Sequence, residues 1–383
     1  MNNVNMTQKT QTQKWDWPNI LFITLSPVAA TVGTIWCITH GGVAGKTWLL
    51  AFVMACLTGF SITGGYHRLF SHRSYKTNAL IRFFYLLFGI AAFEGSAREW
   101  CTQHRMHHKD VDTTNDPYNI KQGFWHAHVL WIFKHNPRIT FTNIPDLDRD
   151  PLIVWQHRYA VLLAVTMGLG FPALVASFWG DPWGGLFVAG FLRLVINHHL
   201  TFSINSFCHM IGKRPYSDKN TARDSWLLAF FTYGEGYHNF HHAFDYDYRN
   251  GIKAYQWDPT KWLIQALAFL GFADKLVVAK EDKIEMMRLE MDAKLLSEKL
   301  AKQRHPRIKQ IEEMMQAARL HVQNGHARYL RCKTEYAKIK AEKMGAYAQR
   351  LNELRIEMRQ AHADFKRAKA QWRQVMRGQF VRA

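Results

Sequence analysis

Four stretches of the chain, residues 20–39, 47–65, 159–179 and 183–203, are apolar for close to the roughly 20 residues that a bilayer-spanning helix needs. They form two hairpins. His40-Gly41-Gly42 with Gly45-Lys46 supplies the first turn and Gly180-Asp181-Pro182 the second. Two shorter apolar stretches read differently. Residues 79–97 carry Arg82 and Glu94, which are costly at a bilayer centre, and residues 262–272 are too short to cross, so both are expected to lie along the interface. Asn115-Asp116-Pro117 and Asn143-Ile144-Pro145 mark polar, turn-rich chain that stays in water.

Beyond residue 280 the period changes. Met344, Tyr347, Leu351, Leu354, Met358, Ala361, Phe365, Ala368, Trp372 and Val375 recur in steps of three and four, a heptad seam. Such a seam pairs with a second copy, with a partner through residues 344–375, or with an earlier tail helix; otherwise it is one face of a solitary amphipathic helix. His305-Pro306 and Asn324-Gly325 are expected to divide the tail into three helices.

Composition changes this picture in one respect. The mean hydropathy of -0.24 is low for a membrane protein, but it averages two unlike halves. Residues 280–383 hold 25 Lys/Arg against 13 Asp/Glu, so most of the net charge of +19 belongs to the tail, and nucleic-acid binding is not the inference. The five cysteines, Cys37, Cys56, Cys101, Cys208 and Cys332, show no paired spacing and suggest reduced thiols. The polar start lacks the pattern of a cleavable signal, which makes the first apolar run a retained anchor.

The candidate chemistry lies in histidines: His67 and His72 in H-x4-H, His104, His107 and His108 in H-x2-HH, and His238, His241 and His242 in a second H-x2-HH. Eight imidazoles exceed what one ion uses, so two metal ions are expected. Positions i, i+3 and i+4 share a helical face, so each H-x2-HH can aim its rings at one centre. H-x4-H separates its rings by about 140° on an ideal helix and is expected to wrap a helix end. A shared centre requires every box on one side of the membrane. Two hairpins, with residues 79–97 kept at the interface, achieve this and bring Asn205 and His209 to the same side. Lys and Arg are abundant there and scarce in the two turns, which makes it the cytoplasmic side. Imidazoles without thiolates suit iron, copper or zinc; only a redox metal could activate dioxygen. Asp110, Asp112, Asp116, Glu235 and Asp245 could accept the outer ring N–H of these histidines, with Asp116 and Glu235 the stronger candidates.

Gly65-Tyr66-His67-Arg68-Leu69-Phe70-Ser71-His72, His104 to His108, Asn205-Ser206-Phe207-Cys208-His209, Gly212-Lys213-Arg214-Pro215-Tyr216 and Gly234-Glu235-Gly236-Tyr237-His238-Asn239-Phe240-His241-His242 together resemble the membrane-bound fatty acyl desaturases of the stearoyl-CoA type. The resemblance covers about residues 15–275 and not the tail. It implies two iron ions held by His67, His72, His104, His107, His108, His209, His238, His241 and His242, with Asn205 reaching its iron through water. It also implies O2 as co-substrate, electrons from a separate donor protein, and removal of two hydrogens from a saturated acyl chain, usually at carbons 9 and 10, to give a cis double bond.

A bent tunnel would set the position, with Trp100, Thr201 and Phe202 at the bend, Ala51 and Ala55 at the closed end and Asn19 at the head group. Thr102-Gln103 stand where the animal enzymes have an Arg-Asp pair, and Lys121 and Lys134 are left as phosphate partners, so acyl-CoA is favoured only modestly over a lipid-bound or protein-bound chain. His126, His128, His135, His157, His198 and His199 match no family ligand and are read as structural. No fused cytochrome b5-like signature is found.

The expected fold is therefore an all-α integral membrane protein, with four transmembrane helices capped by a cytoplasmic helical domain holding a di-metal site, and a basic helical tail. The expected divisions are 1–17, 18–278 and 279–383, and the expected location is a bacterial inner membrane. Rival readings are a histidine-box hydroxylase or alkane monooxygenase, and a non-catalytic metal-binding membrane protein.

Overall fold

A computed structural model describes residues 14–135, 140–302, 308–341 and 348–376. Among the described residues, four helices are long and apolar enough to cross a membrane: α1 (Trp17–Thr39), α2 (Gly45–Ser71), α5 (Ala160–Ser177) and α6 (Pro182–His209). Between them come α3 (Ala79–Ile90) and α4 (Ala97–Asp110), and after them α7 (His238–Ala243) and α8 (Pro259–Phe269). α1 begins where its sequence says it should: the Asp16 carboxylate accepts the Asn19 N–H at 3.2 Å, and Pro18 occupies the first turn, where no N–H is needed.

The two hairpin turns meet. Asp181 accepts the Ala44 N–H (3.0 Å) and the Thr47 hydroxyl (2.6 Å) through Oδ2, and the Gly184 N–H (2.9 Å) through Oδ1. One carboxylate thus caps the start of α2 and the start of α6, which places both turns at one end of the helix bundle and both sets of histidines at the other.

α3 is a 12-residue helix, too short to span, in keeping with an interfacial position. Its Arg82 pairs with Asp150. The fourth span contains a charge of its own: Arg193 is buried, and its guanidinium donates to the carbonyls of Ala189, Ala91 and Gly168. Three backbone acceptors answer its donors, which is how an arginine is accommodated at that depth.

The chain forms two compact units. One comprises residues 1–214 and 218–279, the other residues 215–217 and 280–383. In the second, α9 (Glu281–Lys302), α10 (Ile308–Ala341) and α11 (Ala348–Met376) pack side by side. Leu354, Ala361, Phe365, Ala368 and Trp372 of the heptad seam are buried, and three of them join Leu289 of α9 and Val322 of α10 in one apolar cluster. The seam is therefore covered by earlier tail helices. Met344 and Tyr347, and the predicted break at His305-Pro306, fall outside the described residues. The predicted break at Asn324-Gly325 does not occur: both residues lie within α10. A Cβ at Gly325 would come within 3.3 Å of the Phe365 backbone, so this glycine lets α11 approach α10 closely, at a helix-propensity cost of about 1 kcal/mol.

Candidate metal centre

The first box lies at the end of α2, where the last turns, Ser61–Ser71, widen into a π-helix. There the His72 N–H donates to the His67 carbonyl at 3.1 Å, so residues five apart stand one above the other. The 140° separation of an ideal α-helix disappears, and H-x4-H becomes a one-face pair. The helix does end at His72, as expected, but the widened turns are what align the rings.

The second box is on α4, started by a reciprocal cap in which the Glu99 N–H donates to Ser96 Oγ and the Ser96 N–H to Glu99 Oε2. The third opens α7. Two groups of ring nitrogens result, each gathered within 4.8 Å: His67, His72, His104, His108 and His241, and His107, His209, His238 and His242. This corrects the expectation that each H-x2-HH serves one centre. In both boxes the i and i+4 histidines go to one group and the i+3 histidine to the other, because i+3 and i+4 diverge by about 100° around a helix. The second and third boxes thus exchange members and tie both groups into one centre.

The donor set fits metal. Nε2 atoms face one another at 2.8 Å (His72–His104), 2.9 Å (His67–His241), 3.0 Å (His108–His241) and 3.1 Å (His209–His238 and His238–His242). Burial first, and neighbouring imidazoles second, hold His72, His104, His108, His238, His241 and His242 well below the usual histidine range, so their lone pairs are free. Imidazoles held neutral in this way satisfy one another poorly and a shared positive ion well. Asn205 lies on α6 one turn before His209 and lines the same cavity as His107 and His238.

Outer contacts orient the rings. His67 Nδ1 lies 3.0 Å from Glu235 Oε2, and His107 Nδ1 lies 2.9 Å from Asp116 Oδ1. A carboxylate only accepts, so both rings carry the proton on Nδ1 and present Nε2 inward. Burial raises the Asp116 carboxyl, but His107 and backbone N–H groups outweigh it and hold it down. Asp112 acts one step further out, accepting the hydroxyl of Thr221, which contacts His209 Nδ1 at 2.8 Å. Asp245 is a distant 3.9 Å from His72 Nδ1 and half exposed, and the Asp110 carbonyl bonds Thr113.

Sequence reasoning missed the support beneath Glu235. Arg68 is fully buried: it donates to Glu235 Oε1 (2.9 Å), Asp258 Oδ1 (2.9 Å) and the Tyr248 carbonyl (2.8 Å). Asn250 donates to Glu235 Oε2 at 2.6 Å, and Asp258 also caps α8 through the Lys261 N–H. Burial alone would push the Glu235 carboxyl up; His67 and Arg68 outweigh it and bring it down to about 2. Gly236 makes the fit: a Cβ there would meet the Ala229 backbone nitrogen at 2.1 Å. The signal was present, since Arg68 lies inside the first box and Asp258-Pro259 is a helix start.

A cavity of about 930 Å³ opens onto the centre. His67, His104, His107, His238 and Asn205 line its inner end; Trp100, Thr201 and Phe202 line its wall; Trp15, Asn19 and Lys134 also border it. Asn19 donates its amide to Asp16 at 3.1 Å. Ala51 and Ala55 lie on α2 and are not among the residues lining this cavity, nor is Lys121. Glu94 does line it: Trp100 Nε1 donates to Glu94 Oε2 at 3.1 Å, and burial pushes this carboxyl up to about 7. His198 is bonded to the Ala92 carbonyl and His199 to His128, and His126, His135 and His157 belong to neither group.

The family model for fatty acid desaturase matches residues 46–269. A probable acyl-CoA desaturase of Schizosaccharomyces pombe is 44% identical over 260 residues, 67% of this chain and 54% of that protein. Acyl-CoA desaturase 1 of Saccharomyces cerevisiae is 42% identical over 260 residues, 67% of this chain and 51% of that protein. Stearoyl-CoA desaturase 5 of Bos taurus is 33% identical over 276 residues, 70% of this chain and 82% of that protein. The match spans only about half the length of the two yeast proteins. A matching family model over most of the membrane unit and two convergent histidine groups lead to one conclusion: the chain belongs to the fatty acid desaturase family.

Proposed function

We propose that this protein is an acyl-CoA desaturase that introduces a cis double bond between carbons 9 and 10 of a saturated chain. The observation that carries the proposal is the single cavity that runs from Asn19 and Lys134 past Trp100, Thr201 and Phe202 to both histidine groups. The relatives named as acyl-CoA and stearoyl-CoA desaturases supply the substrate class.

His67, His72, His104, His108 and His241 would hold one iron, and His107, His209, His238 and His242 the other, with Asn205 reaching the second through water. Two bound irons supply the capacity to reduce O2 and to take hydrogen from unactivated carbon. The overall change is R-CH2-CH2-R′ + O2 + 2 e⁻ + 2 H⁺ → R-CH=CH-R′ + 2 H2O, with the electrons from a separate donor protein. The chain's own part is geometric: Glu235 and Asp116 fix ring tautomers, and the walls at Trp100, Thr201 and Phe202 hold one pair of carbons opposite the centre.

Joined turns at one end and histidines at the other support a one-sided metal centre in a multi-pass membrane protein, and the Lys/Arg bias of that side supports reading it as cytoplasmic. A bacterial inner membrane is the sequence-based expectation; the relatives named above come from yeasts and cattle. Residues 18–278 would carry the chemistry, leaving 279–383 a separate role.

The test is lipid analysis by mass spectrometry after expression in a host lacking its own desaturase. A Δ9 alkene that disappears in His107→Ala supports the proposal. A hydroxylated chain without an alkene would identify a hydroxylase, and unchanged lipids would leave a metal-binding protein without this activity.

A further inference from the structure

The tail lies outside the family match and has a face that its own helices leave half covered. α10 and α11 run antiparallel, with Tyr329 against His362 and the Tyr336 hydroxyl against Arg355. α9 lies along one side of this hairpin, but only along its first half. Its contacts run from Ser297 with Glu312 to Asp282 with His326. The 15 residues of α10 beyond that point extend the groove by about 22 Å with nothing from α9 over it.

Charge is sorted between the two sides of this distal half. On one edge Arg350 pairs with Glu335, Glu353 and Glu357. On the other, which continues the groove that α9 occupies, Lys333 and Lys340 of α10 and Arg355, Arg359 and Lys366 of α11 are all exposed, and no acidic residue shares their sector of either helix. Half-buried Tyr329, Tyr336, Leu351 and Met358 lie between them, with the Lys333 ammonium over the Tyr329 ring (5.8 Å) and Arg355 donating to the Tyr336 hydroxyl (3.2 Å). A leucine-scale apolar floor rimmed by cations on both sides is the shape that takes an amphipathic helix with acidic flanks.

α9 shows what the groove accepts. In the covered half it inserts Leu289 beside Val322 and Phe365 and turns acids toward the hairpin's cations: Asp282 to His326 (3.0 Å), Glu285 to Lys369 and Arg373, and Glu290 to Arg319 (3.2 Å). We propose that the distal half of the α10–α11 groove docks an acidic amphipathic helix of a partner protein, end to end with α9. The docking repeats, in trans, the charge pattern that α9 satisfies in cis, and its rim of five cations makes it steeply salt-dependent.

The test uses the full chain in zwitterionic nanodiscs and a fluorescent 15-residue synthetic helix with a leucine face and glutamate flanks, read by anisotropy. The groove variant is Arg355→Glu/Arg359→Glu/Lys366→Glu. The control is Lys299→Glu/Lys302→Glu/Lys309→Glu, which makes the same charge change about 36 Å along the bundle from Lys333. All six side chains are exposed, and amide exchange across α10 checks that both variants keep the hairpin. Expected are binding to wild type, at least tenfold weaker binding to the groove variant, near wild-type binding to the control, and none for a lysine-flanked peptide. Equal weakening in the two variants would overturn the proposal. So would capture of this face by phosphatidylglycerol nanodiscs in preference to the peptide, or a dimer that dissociates in the groove variant. These last two outcomes would name lipid or a second copy as the occupant.

Discussion

Replacing Arg68 by Met tests whether the support below the histidines is as important as the histidines themselves. The guanidinium is 1% exposed and stands between Glu235 and Asp258, which are 3% and 0% exposed at their side chains. Met fills similar volume but leaves two buried carboxylates facing each other with their shared cation gone. Breaking a buried pair by removing one partner costs about 3–5 kcal/mol. For a unit of this size that corresponds to a melting midpoint lower by roughly 10 °C. The second consequence is chemical. Glu235 is held at about 2 by His67 and Arg68 against burial; without Arg68 it moves up, and its hold on His67 Nδ1 weakens. Loss of such an outer contact costs about 10–100-fold in metal affinity. The assay pairs a thermal melt in detergent with iron analysis after dialysis against a chelator. Arg68→Met should lose iron first from the group containing His67, and Arg68→Lys, which keeps the charge with fewer bonds, should fall between. A variant that melts within about 2 °C of wild type and retains its iron would refute the reasoning.

Other expectations follow from single contacts. Asp116→Asn replaces the acceptor of His107 Nδ1 and should weaken iron in the four-histidine group by about 10–100-fold while sparing the other, read as selective loss of one spectroscopic component. Glu94, raised by burial to about 7, is protonated in the fold where the unfolded chain is not. Its folded value lies above its unfolded value, so its stability penalty grows as pH rises from about 4.5 to 7, reaches about 3 kcal/mol and is constant above. Glu94→Gln should therefore raise the melting midpoint at pH 8 and leave it unchanged near pH 4.5. Asp181→Ala should lower stability by roughly 2–3 kcal/mol, because three donors from two turns lose their acceptor, without changing iron content.

The spans and histidines were legible because both are written in local spacing. Twenty apolar residues have few meanings, and eight histidines at metal spacing fewer. What was not legible depends on how helices deviate and who their neighbours are. The π-helical end of α2 turned an apparently splayed H-x4-H into an aligned pair, and no periodicity in Ser61–Ser71 announces it. The sorting of His107 away from His104 and His108 needed the position of α7. Arg68 was read only as part of a motif because the sequence does not state that Asp258, 190 residues later, lies beneath it. The rule that charges exclude a span worked for Arg82 but would have misjudged Arg193, two of whose three carbonyl partners come from other segments. Asn324-Gly325 looked like a break because the cost of glycine is local while the benefit of a close α11 is not.

Nine imidazoles, eight from the three boxes and one from His209, would hold two irons, one in the group of five and one in the group of four. Iron quantification with Mössbauer spectroscopy on the purified chain, His72→Ala and His209→Ala tests it most directly. Two irons per wild-type chain are expected, and about one in each variant, with different quadrupole components lost in the two. A single iron per wild-type chain, or the same component lost in both variants, would contradict it.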